Sequence, residues 1–329
     1  MRSATVRLPG HPDHACDLVA EAVVDEYLRR DPATRIRLAV VGGRGVMFVS
    51  GDVASQADFD VSAVMKRTLG TLGVTDEIEP FVSLEAVAPE RLAAFRLCSA
   101  APVTVTGYAA SETPEGIPST LAAARRAAKR LEEKRKSDPE WFWLGPDAEI
   151  VASADGAKPT KIIVMVEHAT EPIESARRKI SEELSDAVDG AVVVVNPAGA
   201  SERRGLQHAS GASGRTPSAY GTMIPPSPAS VGCDPSSAEK AGAWLCRAAA
   251  LRLVREGSRA AMVRATYLPG DMKPSSVVAR DEQGRDLTSR IPADALALGR
   301  VMKEWWRPGL NVDACRWGFA GEPGMPWEA

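Results

Sequence analysis

Gly10-His11-Pro12-Asp13 opens the stretch on which the fold turns, because a helical pattern starts there and runs to Arg30. Ala15, Leu18, Val19, Ala22, Val23 and Tyr27 recur at helical spacing, and Asp31-Pro32 ends the run. Pro12 suits a first helical turn, and Asp13 complements the dipole there. Outward from this helix, strands are expected at 35–41 and 46–50, joined by Gly42-Gly43-Arg44-Gly45 as a hairpin. That glycine loop lacks the spacing and the βαβ context of a dinucleotide fingerprint. A second helix is expected at 59–72, closed by Gly73.

The same order recurs downstream. A strand at 102–108 leads to a long helix at 119–136, strands at 149–154 and 161–168, a helix at 173–188 and an apolar strand at 191–195. Residues 196–231 are crowded with Gly, Ser, Ala and Pro, including Pro225-Pro226-Ser227-Pro228, and read as an extended functional loop. A last block holds a helix at 236–255, strands at 260–267 and 275–279, and a helix at 294–306. Three successive blocks of this kind predict an α+β protein of three related units, divided at 1–98, 99–195 and 196–329.

Composition narrows the function. With 40 Lys+Arg against 43 Asp+Glu, the net charge of -3 disfavours a nucleic-acid binder. The densest basic run, residues 125–136, is interleaved with Glu132 and Glu133 and reads as a solvated helix face. Five scattered cysteines without a CxxC predict neither zinc cluster nor disulfide framework and suit a reducing cytoplasm. Residues 1–8 carry no long apolar run, and no segment has the length needed to span a bilayer. The expectation is a cytoplasmic protein that acts on a small molecule, with no nucleic-acid or membrane partner.

Beyond its opening motif, the chain resembles S-adenosylmethionine synthetases (methionine adenosyltransferases) in collinear order. Gly51-Asp52 sits where that family has Gly-Glu, and Gly107-Tyr108-Ala109 with Ser111-Glu112-Thr113 is close to its Gly-Tyr-Ala-Thr-Asn-Glu-Thr. Trp143-Leu144-Gly145-Pro146-Asp147-Ala148 resembles Trp-Leu-Arg-Pro-Asp-Ala. Asn196-Pro197-Ala198-Gly199, Gly211, Gly214-Arg215, Gly232, Asp234-Pro235-Ser236 and Pro326-Trp327-Glu328 follow further family motifs. The resemblance implies three similar α+β domains about a pseudo-threefold axis, and a homodimer with interfacial active sites.

It also implies a chemistry. In the family, methionine sulfur attacks the ribose C5′ of ATP and the whole triphosphate leaves, so cations must meet that charge at the transition state. By this resemblance His11 and Arg215 take catalytic roles against the leaving group. Asp52, Gly214 and Asp234 bind substrate, and Asp13 and Glu239 hold magnesium. The departures are more numerous. Glu149, Thr216, Cys233 and Ser237 stand at four phosphate-binding lysines, Ala209 at a metal-binding aspartate, and Ala39 at the glutamate near potassium. Ser201 stands at the aromatic that stacks on adenine. A magnesium ion is thus expected to remain an option while the potassium site is lost. The chain is also shorter than the family norm between Pro89 and Gly107, where the gating loop belongs, which implies either a permanently open site or a different lid, with residues 225–231 as the candidate.

Each residue has a blander reading. His11 and Asp13 suit a capped helix start, Glu239 a helix dipole, and Arg215 a surface loop. His168 reads as a satisfied core histidine and Cys233 as a small filler. Trp141, Phe142, Trp143 and Trp305-Trp306 read as core or interface packing. Arg203, Arg204, His14 and His208 are the candidates for replacement charge. Three functions follow: a repurposed transferase or lyase acting on an adenosyl, sulfonium or nucleotide-like substrate, an authentic synthetase with a rebuilt phosphate site, or a non-catalytic regulatory homologue.

Overall fold

The computed structural model describes residues 2–74, 77–88, 98–201, 204–216, 220–221, 230–292 and 294–329. Strand β1 (Arg2–Arg7) leads into helix α1 (Pro12–Arg30), where Pro12 occupies the first turn. Strands β2 (Arg35–Gly43) and β3 (Val46–Ala54) form the expected antiparallel hairpin, with Val40 opposite Val49. Their alternation decides which face is buried. Ile36, Leu38, Val40, Met47 and Val49 pack beneath α1 and α2 (Val61–Thr71), whereas Arg37, Val41, Phe48 and Asp52 face outward. Strand β4 (Glu79–Ala86) runs parallel to β3 at one edge of this sheet.

Two further sheets take shape downstream. β5 (Val103–Ala110) precedes α3 (Ser119–Ser137), β6 (Ala148–Ala154), β7 (Pro159–Val166), α4 (Ile173–Leu184) and β8 (Val192–Val195). Next come the three-residue β9 (Ser210–Ala212), α5 (Ala238–Arg255), β10 (Ala260–Tyr267), β11 (Ser276–Asp281) and α6 (Leu310–Arg316). Sheet orders are β4-β3-β2-β9, β1-β6-β7-β8 and β11-β10-β5. Each sheet has a hydrophobic core of its own under its own helices, which gives three α+β units.

The sheets do not follow sequence order. β1 pairs with β6, β5 pairs with β10, and β9 pairs with β2. Each unit therefore borrows one strand from a distant part of the chain. The helix–sheet contact in the third unit depends on Gly107, where an added Cβ would overlap the α5 backbone at Cys246.

The sequence reading and the structure differ in places. The helix expected at 294–306 is replaced by a short π-helical stretch, Val301–Trp305, that follows turns. Leu296 and Leu298 in the preceding turns are buried together with Val301, and the two-residue step between the leucines suits a coil pressed on the core. Strands β1, β4 and β9 and helix α6 were not expected. β9 is a Ser-Gly-Ala triplet without strand propensity, and only its pairing with β2 makes it a strand. Trp141 and Trp143 are buried and stacked, while Phe142 between them is 79% exposed. Among the described residues, no helix is long and apolar enough to cross a membrane.

Candidate active site

A polar cluster gathers at the N-terminus of α1, against β9 and the loop that follows it. Two glycines make room for it. A Cβ on Gly211 would overlap the Pro12 carbonyl carbon, and Gly214 takes a left-handed φ of 80°. Asp13 uses both oxygens: Oδ2 accepts from Arg7 Nη1 at 2.7 Å and Oδ1 from the Ala212 amide at 2.9 Å. The same Arg7 Nη1 donates to the Arg215 carbonyl at 3.1 Å, and Arg7 Nε lies 3.9 Å from Glu149 Oε1. One turn along α1, Asp17 accepts from the Gly214 amide at 2.6 Å and from the Thr216 hydroxyl. Burial pushes the Asp17 carboxyl up to about 6, although these two bonds oppose the shift.

His11 caps the helix, its Nδ1 accepting from the Asp13 amide at 3.2 Å. That bond places the neutral ring's proton on Nε2. Burial holds the imidazole down at about 4, against the pull of Asp147. Near neutral pH His11 is therefore an uncharged hydrogen-bond donor. Asp147 is buried and accepts from Arg204 Nε at 3.2 Å and the Gly205 amide at 2.9 Å. The Arg215 guanidinium is exposed and makes no hydrogen bond or ion pair among the described residues.

A second group lines a cavity of about 180 Å³ between β2, β3 and the start of α5. It contains Arg35, Arg37, Asp52, Cys98, Cys233, Asp234 and Glu239. Asp234 latches its loop to β2, accepting from Arg35 Nη1 at 2.6 Å and from the Ile36 and Ser236 amides. Glu239 Oε1 accepts from Arg37 Nη2 at 2.6 Å. Asp52 is the cross-strand partner of Arg37 and faces the cavity from β3. Burial pushes the Cys233 thiol up to about 11, so it is not a thiolate nucleophile near neutral pH.

The structure thus sorts the sequence candidates into two sets. His11, Asp13, Gly214 and Arg215 meet at the α1 N-terminus, while Asp52, Asp234 and Glu239 meet at the cavity. Both flank one edge of β2: Leu38 donates to the Gly232 carbonyl and Val40 to the Ser213 hydroxyl, roughly 7 Å apart along the strand. Of the candidate replacement charges, Arg204 joins the first set. His14 is buried with its ring nitrogens on the Arg7 and Cys315 carbonyls, and burial holds its pKa down against the opposing effect of those two bonds. His208 is exposed, and Arg203 and most of the candidate lid, residues 225–229, lie outside the described residues. His168 is buried with both ring nitrogens on backbone groups, Glu171 O and Ser201 N.

The carboxylates assigned to magnesium by resemblance fit that ion poorly. Asp13 is paired with Arg7 and Glu239 with Arg37. Among the described residues, no group of three or more His, Cys, Asp or Glu side chains converges as a metal site. Sequence reasoning missed Arg7, Asp17 and Arg37. A signal for one of them was present, since Asp13, Asp17, Glu21 and Asp25 recur every fourth residue and so share one face of α1.

The S-adenosylmethionine synthetase N-terminal domain model matches residues 2–88 and the central domain model residues 101–203. The chain belongs to the S-adenosylmethionine synthetase family. Its three α+β units are the family's three similar domains with pseudo-threefold symmetry. The S-adenosylmethionine synthase of Thermus thermophilus is 25% identical over 97% of this chain and 93% of its own length. The S-adenosylmethionine synthase 1 of Frankia casuarinae is 27% identical over 89% and 84%. The Aquifex aeolicus enzyme is 24% identical over 100% and 96%. As an S-adenosylmethionine synthetase homologue, the chain matches 84–96% of the length of these relatives at 24–27% identity.

Proposed function

We propose that this family member is a divergent transferase or lyase-type enzyme. Its substrate is an adenosyl, sulfonium or nucleotide-like compound with fewer phosphates than ATP. The observation that carries this reading is the fate of the four positions where the family resemblance puts phosphate-binding lysines. Glu149 lies against Arg7, Thr216 donates to Asp17, Cys233 is buried on the Ser230 carbonyl, and Ser237 caps α5. None is cationic, and each has a structural partner.

Charge around the α1 N-terminus supports the same reading. Arg7 and Arg204 face Asp13, Asp17, Asp147 and Glu149, and even with the exposed Arg215 counted the cluster has no positive excess to offer a triphosphate. In the proposed reaction Arg215 meets the leaving group as a free guanidinium, and neutral His11 donates from Nε2 to it. Asp52 binds the cationic end of the substrate at the small cavity, where Asp234 holds a wall, and Gly214 shapes the loop at the α1 N-terminus. A thermal-shift screen tests this. S-adenosylmethionine and other adenosyl compounds are expected to raise Tm more than ATP with magnesium. The reverse ranking, strengthened by methionine, would point to an authentic synthetase.

The active unit is proposed to be a homodimer that closes the site at its interface. Val41, Phe48 and Phe81 are 46–50% exposed on one face of the sheet, and the Phe48 and Phe81 rings stack at 4.8 Å. An apolar patch of this kind, beside the cavity that holds Asp52, suits a self-complementary contact. Phe48→Asp is expected to convert a particle of twice the chain mass to a monomer in light scattering after gel filtration. A wild-type monomer would refute this assembly.

A further inference from the structure

We infer that the Arg7 guanidinium takes the place of a divalent cation at the N-terminus of α1. The cleft then receives its ligand with no metal ion bound to Asp13. The inference rests on the proposed reading only in taking this cleft as the place where the ligand is met.

Three observations converge on Arg7. Its Nη1 is 2.7 Å from Asp13 Oδ2, on the side of the carboxylate that the Ala212 amide leaves open. Its Nε is buried, makes no hydrogen bond among the described residues, and lies 3.9 Å from Glu149 Oε1. The side chains of Arg7, Asp13 and Glu149 are 15%, 14% and 22% exposed, so the charges are screened weakly by water. A guanidinium between two carboxylates is a fixed positive centre with planar donors, held by the strand that carries it.

A hard divalent ion needs oxygen ligands close around it, roughly 2.0–2.1 Å for magnesium. At Asp13 it would have to displace Arg7 and would then face a like charge within ion-pair range. Glu149 fits the same logic. It stands where the family resemblance puts a lysine, and the new carboxylate serves as the second counter-charge to Arg7. The Arg37–Glu239 pair at 2.6 Å repeats the pattern at the other assigned metal carboxylate.

Manganese uptake, followed by the electron paramagnetic resonance signal of free Mn2+ without nucleotide present, tests the inference. Wild type and Asp13→Asn are expected to give superimposable titrations. Arg7→Gln is expected to bind one further equivalent at least tenfold more tightly than wild type, and the double variant Arg7→Gln/Asp13→Asn to lose it. Arg7→Lys keeps the charge and should gain nothing. Should Arg7→Gln fail to fold, Arg7→Leu/Glu149→Leu carries the same expectation. Wild-type uptake that Asp13→Asn abolishes would overturn the inference, as would a folded Arg7→Gln or Arg7→Leu/Glu149→Leu that takes up no more than wild type. Because no nucleotide enters the assay, its failure is distinct from failure of the adenosyl-ligand screen.

Discussion

Supplied with ATP, methionine, magnesium and potassium, the protein is expected to form S-adenosylmethionine on the order of 10⁴-fold more slowly than the Thermus thermophilus relative assayed beside it. The figure follows from the replaced lysines. A hydrogen bond from a charged group to a buried anion contributes about 1.5–3 kcal/mol. Four missing contacts therefore remove roughly 6 kcal/mol or more from the transition state, and each ~1.4 kcal/mol is tenfold in rate. The charge of the cluster lowers the rate further, since Glu149 and Asp147 would face the leaving triphosphate. Product and phosphates can be followed by mass spectrometry, with His11→Ala as the control. A His11-dependent rate within tenfold of the relative would overturn the proposed function and make this an authentic synthetase.

Lys240→Met is expected to destabilise the fold by about 3–5 kcal/mol, because it strands a buried carboxylate. Lys240 Nζ donates to Glu21 Oε2 at 2.6 Å and to Asn311 Oδ1 at 2.8 Å, and Asn311 Nδ2 donates to Asp25 Oδ1 at 2.8 Å. The chain of bonds ties α1, α5 and α6 together where the Lys240 and Glu21 side chains are only 2% and 4% exposed. Burial pushes the Glu21 carboxyl up to about 7 against the pull of Lys240. Burial works the other way on the lysine, which Glu21 nevertheless holds in its charged form.

The sign of the pH dependence follows. A raised carboxyl pKa means that the fold binds a proton the unfolded chain has released, so its contribution is complete below about pH 4.5 and is lost as pH rises through about 7. Without Lys240 the carboxyl titrates higher still. The defect in Lys240→Met should therefore be largest above pH 7 and shrink toward pH 5 in denaturant melts. Glu21→Gln/Lys240→Met should flatten that profile. A single variant with full stability at pH 8 would show that the pair contributes nothing.

Much of the site was legible before any coordinates, and the reason is chemical. Gly10-His11-Pro12-Asp13 marks a helix start, and local rules are enough to place His11 at the cap and Asp13 in the first turn. The alternation of β2 and β3 fixes which side chains face outward, but the strand expected at 46–50 stops short of Asp52, and only the observed register sets Asp52 opposite Arg37. The charge reversal at Glu149 and the loss of lysines at Thr216, Cys233 and Ser237 were equally visible as residue types.

Residue types and local periodicity were enough for the family, for the helix and hairpin that carry the candidate residues, and for the absence of lysines at the positions that resemble phosphate contacts. Only the tertiary structure decided what those residues touch. Arg7 and Glu149 are far apart in the chain but adjacent in space, because β1 leaves its own block to pair with β6 in a register that sets Arg7 opposite Glu149. Asp17 meets Thr216 because β9, a strand by pairing alone, brings its loop onto α1. Local periodicity carries no record of a partner some two hundred residues away. The long-range pairing of strands chose the partners, and those partners turned the assigned metal carboxylates into ion pairs.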